Sequence, residues 1–351
     1  MKRVLWVGKA PADGAAGDEV YDRRIISALR GLGVEVDLVH PDRVGRVAEL
    51  ANLARGLPHY RAQYASTRNA RKLLDAARGH ELAIVSWEPF DMLAWGLPVP
   101  AIPILHNITS RSLPSMFPAS PAANLLALTA GWWQRRAYGS GRFPAVVVLA
   151  RDDEAYVKSI APHIPVVYAP PGPPPLTQLA ADARFLPELV LLGTYDWRPK
   201  RRDVVAFARA YARMAAPWPV YADGLPDQAA QQIRPRPTSA LDFSSAARIG
   251  VVPDTFIAGH KLKVGAYVAN NLVPVAMGDL QGEYAGLAPP YLFDKAAAAD
   301  LPAIVSTISA SFQVDAWRQL QSAFAEAFDW SQSAARILAA AVAAVALRRR
   351  A

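Results

Sequence analysis

Two lysines, Lys261 and Lys263, stand at the start of a short apolar segment in the last third of the chain. Gly259 precedes them, and the pair Asn270-Asn271 ends the segment before a new apolar run. This order predicts a turn, a helix that begins near the lysines, and then a strand. Backbone N–H groups at a helix N-terminus lack partners and carry partial positive charge, so an anion gains hydrogen bonds there and a nearby ammonium group adds attraction. The segment therefore predicts a diphosphate site, which would suit a nucleotide-sugar.

The two lysines cannot both be expected to serve such a site. Residues two apart on a helix point in different directions, so only one of them should face a ligand easily. That lysine would neutralise charge on a leaving nucleoside diphosphate, and the alternative is a solvated surface lysine. Arg201 and Arg202 follow a glycine loop at Gly193. They could clamp phosphates or be ordinary surface arginines.

Candidates for proton transfer follow predicted strands. His106 stands where a strand should end, and an imidazole there could bind a sugar hydroxyl or take its proton. The alternative is a histidine that satisfies the hydrogen bonds of its own loop. Glu88 and Asp91 follow another strand, and Asp18 and Glu19 begin the first predicted helix. Any of these carboxylates could be the general base for an acceptor hydroxyl, although helix capping explains Asp18 equally well.

Composition and charge narrow the class of protein. The 351 residues suit two domains, and a hydrophobic share of 52% is enough to build large cores. The absence of cysteine excludes disulfides, thiolate metal sites and a thiol nucleophile. A net charge of +8 indicates an acidic partner, for which nucleic acid, anionic lipid and sugar diphosphates all qualify. No nucleic-acid-binding motif accompanies the charge, so we expect no nucleic-acid partner.

One segment has the pattern of a helix that lies on a membrane surface. An apolar run that begins at Leu125 leads into Trp132 and Trp133 and then into Arg135 and Arg136. Indole rings favour the headgroup level, and the arginines would face anionic lipid. The alternative is a core helix with a solvated end.

The expected cellular location follows from the length and position of the apolar segments. The short apolar run within residues 1–8 resembles a first buried strand and not a secretory signal, which favours the cytoplasm. Residues 337–347 form the longest candidate for a membrane span and reach about half of the length that is needed. We therefore expect peripheral contact at the inner face of the plasma membrane.

The order of predicted elements indicates an α/β protein. Short apolar strands alternate with helical patterns up to about residue 160, and the alternation begins again after a proline-rich stretch at 164–175. Six prolines there predict a stiff extended connector. We therefore predict an N-terminal Rossmann-like domain at 1–165, a C-terminal one at 166–314, and a helical tail at 315–351 that packs back on the N-terminal domain.

The chain resembles the GT-B glycosyltransferases, in which two Rossmann-like doubly wound domains face each other across a cleft. The resemblance is sharpest at Leu191–Pro199, which is similar to the strand and loop that open the donor domain. It continues at Lys261–Val275, which is similar to a lysine-bearing helix. In the first half, Val4–Gly8 with Gly14-Ala-Ala-Gly17 resembles the first βα loop. The donor-binding residues that the resemblance implies are Gly17, Gly193, Thr194, Tyr195, Arg201, Arg202, His260, Lys261, Lys263 and Tyr267.

The resemblance also limits the subgroup. Many retaining members carry two glutamates eight positions apart around the lysine helix, and here Ala258 and Ala266 stand near the matching places. Lys263, four residues before Tyr267, fits better a family-4-like branch that includes bacterial glucuronosyltransferases of exopolysaccharide assembly. Such enzymes neutralise the diphosphate without a metal, so no metal or other cofactor is expected.

The function implied is transfer of a hexosyl or glycuronosyl group from a nucleoside-diphosphate sugar to a hydroxyl of a lipid-linked or polysaccharide acceptor. The alternative is a non-catalytic GT-B-like protein that binds a sugar nucleotide or serves as a scaffold, since the two glutamates are missing.

Overall fold

The computed structural model describes residues 1–9, 17–214, 218–256, 259–280, 282–284, 287 and 289–350. It divides into two compact units. The first unit contains 1–171, 258–260 and 329–351, and the second contains 172–257 and 261–328. Each unit holds one parallel β-sheet with helices around it. Elements are numbered in chain order.

The first unit is built on a six-stranded sheet of order β2-β1-β3-β4-β5-β6, in which all pairs are parallel. Its strands are β1 (Arg3–Val7), β2 (Glu35–Val39), β3 (Leu82–Ser86), β4 (Ala101–Leu105), β5 (Val146–Val148) and β6 (Val166–Tyr168). Its helices are α1 (Gly17–Gly31), α2 (Arg46–Ala54), α3 (His59–Ala62), α4 (Thr67–Ala76), α5 (Thr109–Met116), α6 (Pro121–Gly139), α7 (Arg151–Ile160) and α13 (Trp330–Arg350), with a 3-10 segment at Glu88–Gly96. β3, β4 and β5 are buried at every residue, as strands covered on both faces must be.

The second unit has a four-stranded parallel sheet of order β10-β9-β7-β8. Its strands are β7 (Arg184–Leu191), β8 (Val220–Ala222), β9 (Ala246–Val252) and β10 (Leu272–Ala276). Its helices are α8 (Arg198–Tyr211), α9 (Asp227–Ile233), α10 (Leu262–Ala269), α11 (Leu301–Ser311) and α12 (Val314–Ala327), with 3-10 turns at Thr238–Ala240 and Ala298–Asp300. Parallel strands gather their carboxyl ends at one edge, and ligands of α/β sheets bind at that edge.

Two boundaries differ from the predicted ones. The predicted connector at 164–175 contains β6, which pairs with β5, so the first unit extends through Pro171 and does not end at 165. The predicted tail at 315–351 is divided between the units. Trp317 and Phe324 of α12 belong to the core of the second unit, whereas Ile337 and Ala341 of α13 pack in the core of the first.

The last helix is longer than the predicted apolar run. α13 spans 21 residues, and the segment Val314–Arg350 is long and apolar enough to cross a membrane by length and composition alone. Two observations oppose a span. α12 and α13 are separate helices, and one face of α13 is buried against the α1 residues Ile25 and Leu29.

Candidate functional site

A group of cationic side chains lies at the carboxyl edge of the second sheet. The loop after β7 contains Gly193 with φ +109°, a backbone conformation that residues other than glycine rarely adopt. A Cβ at this position would lie 2.9 Å from Cε of Lys263, which is too close. Glycine therefore lets the Lys263 side chain lie directly against the backbone of the loop.

The ammonium group of Lys263 is buried at this edge without a close counterion. Its Nζ is 3.8 Å from Oδ2 of Asp254 and 4.5 Å from the ring centre of Tyr195, and it has no hydrogen-bond partner among the described residues. Burial lowers the pKa of Lys263 to about 8, and the charges of Lys200 and Lys261 lower it further against the attraction of Asp254. An anion bound here would supply both the missing hydrogen bond and the missing charge.

Lys261 faces the same carboxylate as Lys263, although the sequence predicted that the two would diverge. Its Nζ is 3.9 Å from Oδ2 of Asp254 and donates to the carbonyl of Phe256 at 3.1 Å. The prediction was wrong because Lys261 is not helical. It is the residue before the first turn of α10, with φ −90° and ψ 89°, so helical spacing does not apply to the pair. Burial lowers the pKa of Lys261 as well.

The sequence analysis did not identify two members of this group. Lys200, in the first turn of α8, is close enough for its charge to lower the pKa of both lysines. Asp254, 3% exposed, is the carboxylate that both lysines share. Two ammonium groups thus share one carboxylate, and the charge of a third, Lys200, acts on both, beside the first turns of α8 and α10. The site carries excess positive charge and can hold a dianionic group.

Two predicted donor contacts are core residues. The Tyr267 hydroxyl donates to the Val251 carbonyl at 2.7 Å and accepts the Leu192 N–H at 3.1 Å, and the side chain is fully buried. Tyr267 therefore connects β9 to the end of β7. Tyr195, 1% exposed, places its ring beside Lys263. A ligand cannot reach either ring, so we replace their predicted direct contacts by a positioning role.

The remaining predicted donor residues are exposed or half-buried, and Gly17 belongs to the first unit. Thr194, Arg201 and Arg202 are exposed, and Arg202 pairs with Asp203 at 2.7 Å. The other Asp203 oxygen accepts from the backbone N–H and the hydroxyl of Thr255, both at 2.8 Å, which joins α8 to the loop after β9. His260 is half-buried and precedes Lys261, and Gly17 is the exposed first residue of α1. Gly14 falls within 10–16, outside the described residues.

The first unit has its own polar cluster at the carboxyl edge of its sheet. His106 follows β4, and its Nε2 lies 2.8 Å from the Ser86 hydroxyl at the end of β3. Ser86 donates to Oδ1 of Asp22 on α1, which lies 3.4 Å from the same imidazole nitrogen. The ring edge of Tyr21 packs against His106. Asp22 and Ser86 were not predicted, and they hold the imidazole in a fixed orientation.

Asp18 lies beside this cluster in an ion pair. It accepts a hydrogen bond from Lys9, and although burial opposes it, this contact lowers the pKa of Asp18. The Lys9 ammonium also lies 3.6 Å from the ring centre of Trp87. Trp87 has φ 115°, a strained backbone conformation for a residue other than glycine. Asp18 is therefore ionised and held in place by Lys9.

Glu88 is placed for structure and not for proton transfer. It is 2% exposed, and both of its oxygens accept hydrogen bonds. One accepts from Tyr60 at 2.8 Å and Gln134 at 2.7 Å, and the other from the backbone and hydroxyl of Thr109 at 3.1 and 2.7 Å. Glu88 thus stabilises the start of α5, so we replace its predicted role as a base.

The predicted membrane residues lie on α6. Trp132 is 50% exposed and Arg135 and Arg136 are exposed, whereas Trp133 is half-buried and donates its Nε1–H to the Gly56 carbonyl at 2.8 Å. Among the described residues no group of three or more histidine or acidic side chains could hold a metal ion.

The sequence matches no protein-family model and no curated protein. Solved structures with a similar fold do exist. Sucrose-phosphate synthase from Thermosynechococcus elongatus aligns with a TM-score of 0.61 at 16% identity, covering 100% of this chain and 99% of that chain. Pneumococcal O-GlcNAc transferase GtfA, solved in complex with UDP and GlcNAc, aligns with a TM-score of 0.64 at 10% identity and covers 98% and 99%. The lipopolysaccharide outer core galactosyltransferase WaaB, in its apo form, aligns at 0.60 and 10% identity and covers 96% and 99%.

These neighbours are GT-B glycosyltransferases. The chain has the GT-B fold. The predicted fold class, α/β with two parallel sheets, is confirmed. At these identities the likeness establishes the fold alone, and fold does not fix function.

Proposed function

We propose that the protein is a glycosyltransferase that moves a sugar from a nucleoside-diphosphate sugar to a hydroxyl of a lipid-linked or polysaccharide acceptor. The observation that carries the proposal is the buried Lys263 ammonium group, which has no hydrogen-bond partner in the described part of the chain. It belongs to a group with Lys200 and Lys261 whose carboxylates are Asp254 and Asp203, and Asp203 is already paired with Arg202, so the group keeps excess positive charge. A diphosphate is an anion of the matching charge.

The reaction breaks the bond between the anomeric carbon and the diphosphate oxygen and forms a bond to the acceptor oxygen. Negative charge develops on the leaving diphosphate, where Lys261 and Lys263 stabilise it. The acceptor hydroxyl loses its proton to His106, whose orientation Ser86 and Asp22 fix. These basic side chains do the neutralising that a metal would do in other transferases, so we propose no metal or other cofactor.

The transferred group is a hexosyl or glycuronosyl group, and the branch that fits best is that of exopolysaccharide assembly in bacteria. This assignment rests on Lys263 and on alanine at position 266 in place of a glutamate. We propose a peripheral location at the cytoplasmic face of the membrane, where lipid-linked acceptors are available. A non-catalytic sugar-nucleotide-binding protein is the competing function, because the glutamates of retaining relatives are missing.

Thermal unfolding with nucleotides tests the donor site. A ligand that binds only the folded state raises the unfolding temperature. We expect one of UDP, GDP or TDP to stabilise the protein, and the matching monophosphate to do so much less. If no diphosphate shifts the unfolding temperature, the proposal is wrong.

Hydrolysis separates an enzyme from a binding protein. The diphosphate sugar of the preferred base should be hydrolysed slowly by the wild type. The His106→Ala variant should bind the nucleotide equally well and hydrolyse it about 100-fold more slowly, in the range of a lost general base. Binding without hydrolysis in the wild type would favour the non-catalytic function.

A further inference from the structure

The helix α2 buries a polar side chain and exposes apolar ones, which is the opposite of an ordinary surface helix. Its only buried residue is Asn52, whose Nδ2 donates to the carbonyls of Ala62 at 2.9 Å and Ala65 at 2.8 Å. The large apolar residues face solvent instead: Val47 is 83% exposed and Leu50 is 59% exposed. Surface helices normally bury their apolar stripe. The contacts of Asn52 thus orient α2 so that Val47 and Leu50 face solvent, whereas Leu53 is half-buried.

The helix α6 shows the same reversal. Leu125, Leu128 and Trp132 are 66%, 70% and 50% exposed, and their spacing of three and four residues places them on one helix face. The buried face consists mainly of small and polar residues, with one aromatic residue near the end of the helix: Ala123, Ala127, Ala130, Gly131, Gln134, Ala137 and Tyr138. Alanine and glycine allow α6 to pack closely while Leu125, Leu128 and Trp132 remain exposed to water.

The two helices adjoin within the first unit. The Trp133 Nε1–H donates to the carbonyl of Gly56, two residues after the end of α2, at 2.8 Å. Trp133 also contacts the ring of Trp132 edge to face at 5.2 Å, so the exposed indole lies close to the end of α2. Two separate apolar helix faces in contact with water in one region exceed what isolated exposed residues explain.

The charge around these faces selects the partner. Arg46 and Arg55 flank the apolar residues of α2, and Arg135 and Arg136 follow Trp132 on α6. All four are exposed, and none forms an ion pair with a residue that the structure describes. The nearby acid Glu49 is engaged by His59 at 3.2 Å and by Arg43 at 3.8 Å. Apolar side chains bordered by cations, with indole among them, match the interface of an anionic bilayer.

We propose that α2 and α6 together form one docking surface for an anionic lipid bilayer. The apolar side chains enter the region between headgroups and acyl chains, and the arginines contact lipid phosphates. The sequence predicted a membrane role for the Trp132 region, and the structure adds α2, which had not been predicted. This surface belongs to the first unit and shares no residue with the cationic site of the second unit. Its test therefore does not depend on the transferase proposal.

Vesicle co-sedimentation of the full chain tests the α2 part of the surface. The vesicles contain phosphatidylcholine alone or with about one quarter phosphatidylglycerol. The wild type should bind the anionic vesicles and bind the neutral ones weakly. Val47→Ser with Leu50→Ser should reduce binding about tenfold, because insertion strength follows the buried apolar area. The control is Leu38→Ser with Val342→Ser, which removes two other exposed apolar side chains of the first unit and should bind like the wild type.

Three results would overturn the proposal. The first is sedimentation of the α2 variant equal to that of the wild type, and the second is a loss of binding in the control as large as in the α2 variant. The third is a wild type that binds no vesicles and forms a dimer that is absent in the α2 variant, which assigns the surface to a second copy of the chain. The nucleotide thermal shift is measured on every variant and should be unchanged, so failure of the donor site is recognised separately.

Discussion

Two buried cations, one in each unit, are treated differently by their surroundings. Arg61 of α3 is fully buried and donates to Asp91, with Glu88 at 3.9 Å. Tyr138 donates to the same Asp91 oxygen at 3.1 Å. Arg61 Nε and Nη1 have no partner among the described residues, but the charge itself is neutralised. Lys263 has only one carboxylate, at 3.8 Å, and two like charges beside it.

The pKa directions express this difference. Burial would lower the pKa of Arg61, but Asp91, Tyr60, Glu88 and Tyr138 together outweigh it, so the pKa of Arg61 is raised. Burial lowers the pKa of Lys263 to about 8, and Asp254 does not reverse it. A buried charge with its counterion in place makes the fold sensitive to the loss of either partner, whereas a buried charge without one is typical of a binding site. The two cations therefore separate the structural region of the molecule from the proposed functional one.

The largest expected effect is on the structural cation. Arg61→Met leaves Asp91 buried without its counterion, which should lower the free energy of unfolding by about 3–5 kcal/mol. Nucleotide affinity should be unchanged wherever the variant is folded. Urea unfolding measures the first quantity and calorimetry the second. Arg78→Met, which removes a largely exposed arginine, is the control and should leave stability unchanged. The comparison breaks if Arg61→Met unfolds at the same urea concentration as this control.

The functional cation should show the opposite pattern. Lys263→Ala removes a charged contact worth about 1.5–3 kcal/mol, so diphosphate binding should weaken about 10- to 150-fold. Stability should stay the same or rise, because a buried, weakly paired charge is removed. The control is Lys295→Ala, an exposed lysine of the second unit that pairs with Asp279. Equal affinity of Lys263→Ala and the control in calorimetry, for whichever diphosphate stabilises the wild type, would reject the site.

Local sequence pattern was sufficient to predict much of the fold. β3 and β4 are uninterrupted apolar runs, and the amphipathic pattern of residues 18–32 matches α1. Prolines concealed β6, because Val166–Tyr168 is too short to stand out beside them and becomes a strand only by pairing with β5. The tail was predicted as one helical segment, since the local sequence pattern does not show that α12 and α13 pack in different cores.

The site was predicted less completely, because its members meet only in space. Lys261 and Lys263 were identified from one segment, but Lys200 comes from the first turn of α8 and Asp254 from the loop after β9, and they join the lysines only in the folded chain. Asp22 resembled any polar residue of an amphipathic helix until folding brought it to His106. Burial also changed roles: Glu88 and Tyr267 have suitable chemistry, yet their hydrogen-bonding atoms are engaged in the core. Sequence pattern does not report burial of a polar group or the identity of its partner.

The smallest expected effect is a proton taken up when the donor binds. With a pKa of about 8, Lys263 is charged well below that pH and loses its proton above it in the free protein. A bound diphosphate raises this pKa, since a nearby negative charge favours the ammonium form. The bound state thus holds more protons than the free state above about pH 8, and affinity should fall there by up to about tenfold per pH unit. Below about pH 7 affinity should not depend on this group.

Calorimetry with UDP-glucose in two buffers of different ionisation enthalpy measures the uptake. It should be near zero at about pH 7 and should approach one proton at about pH 9. Lys263→Arg keeps a cation that does not titrate in this range, so uptake at the higher pH should fall by at least half. Uptake that is the same in the wild type and in this variant would show that Lys263 stays charged without a ligand. In that case its surroundings compensate its charge as fully as those of Arg61, and the distinction between the two cations fails.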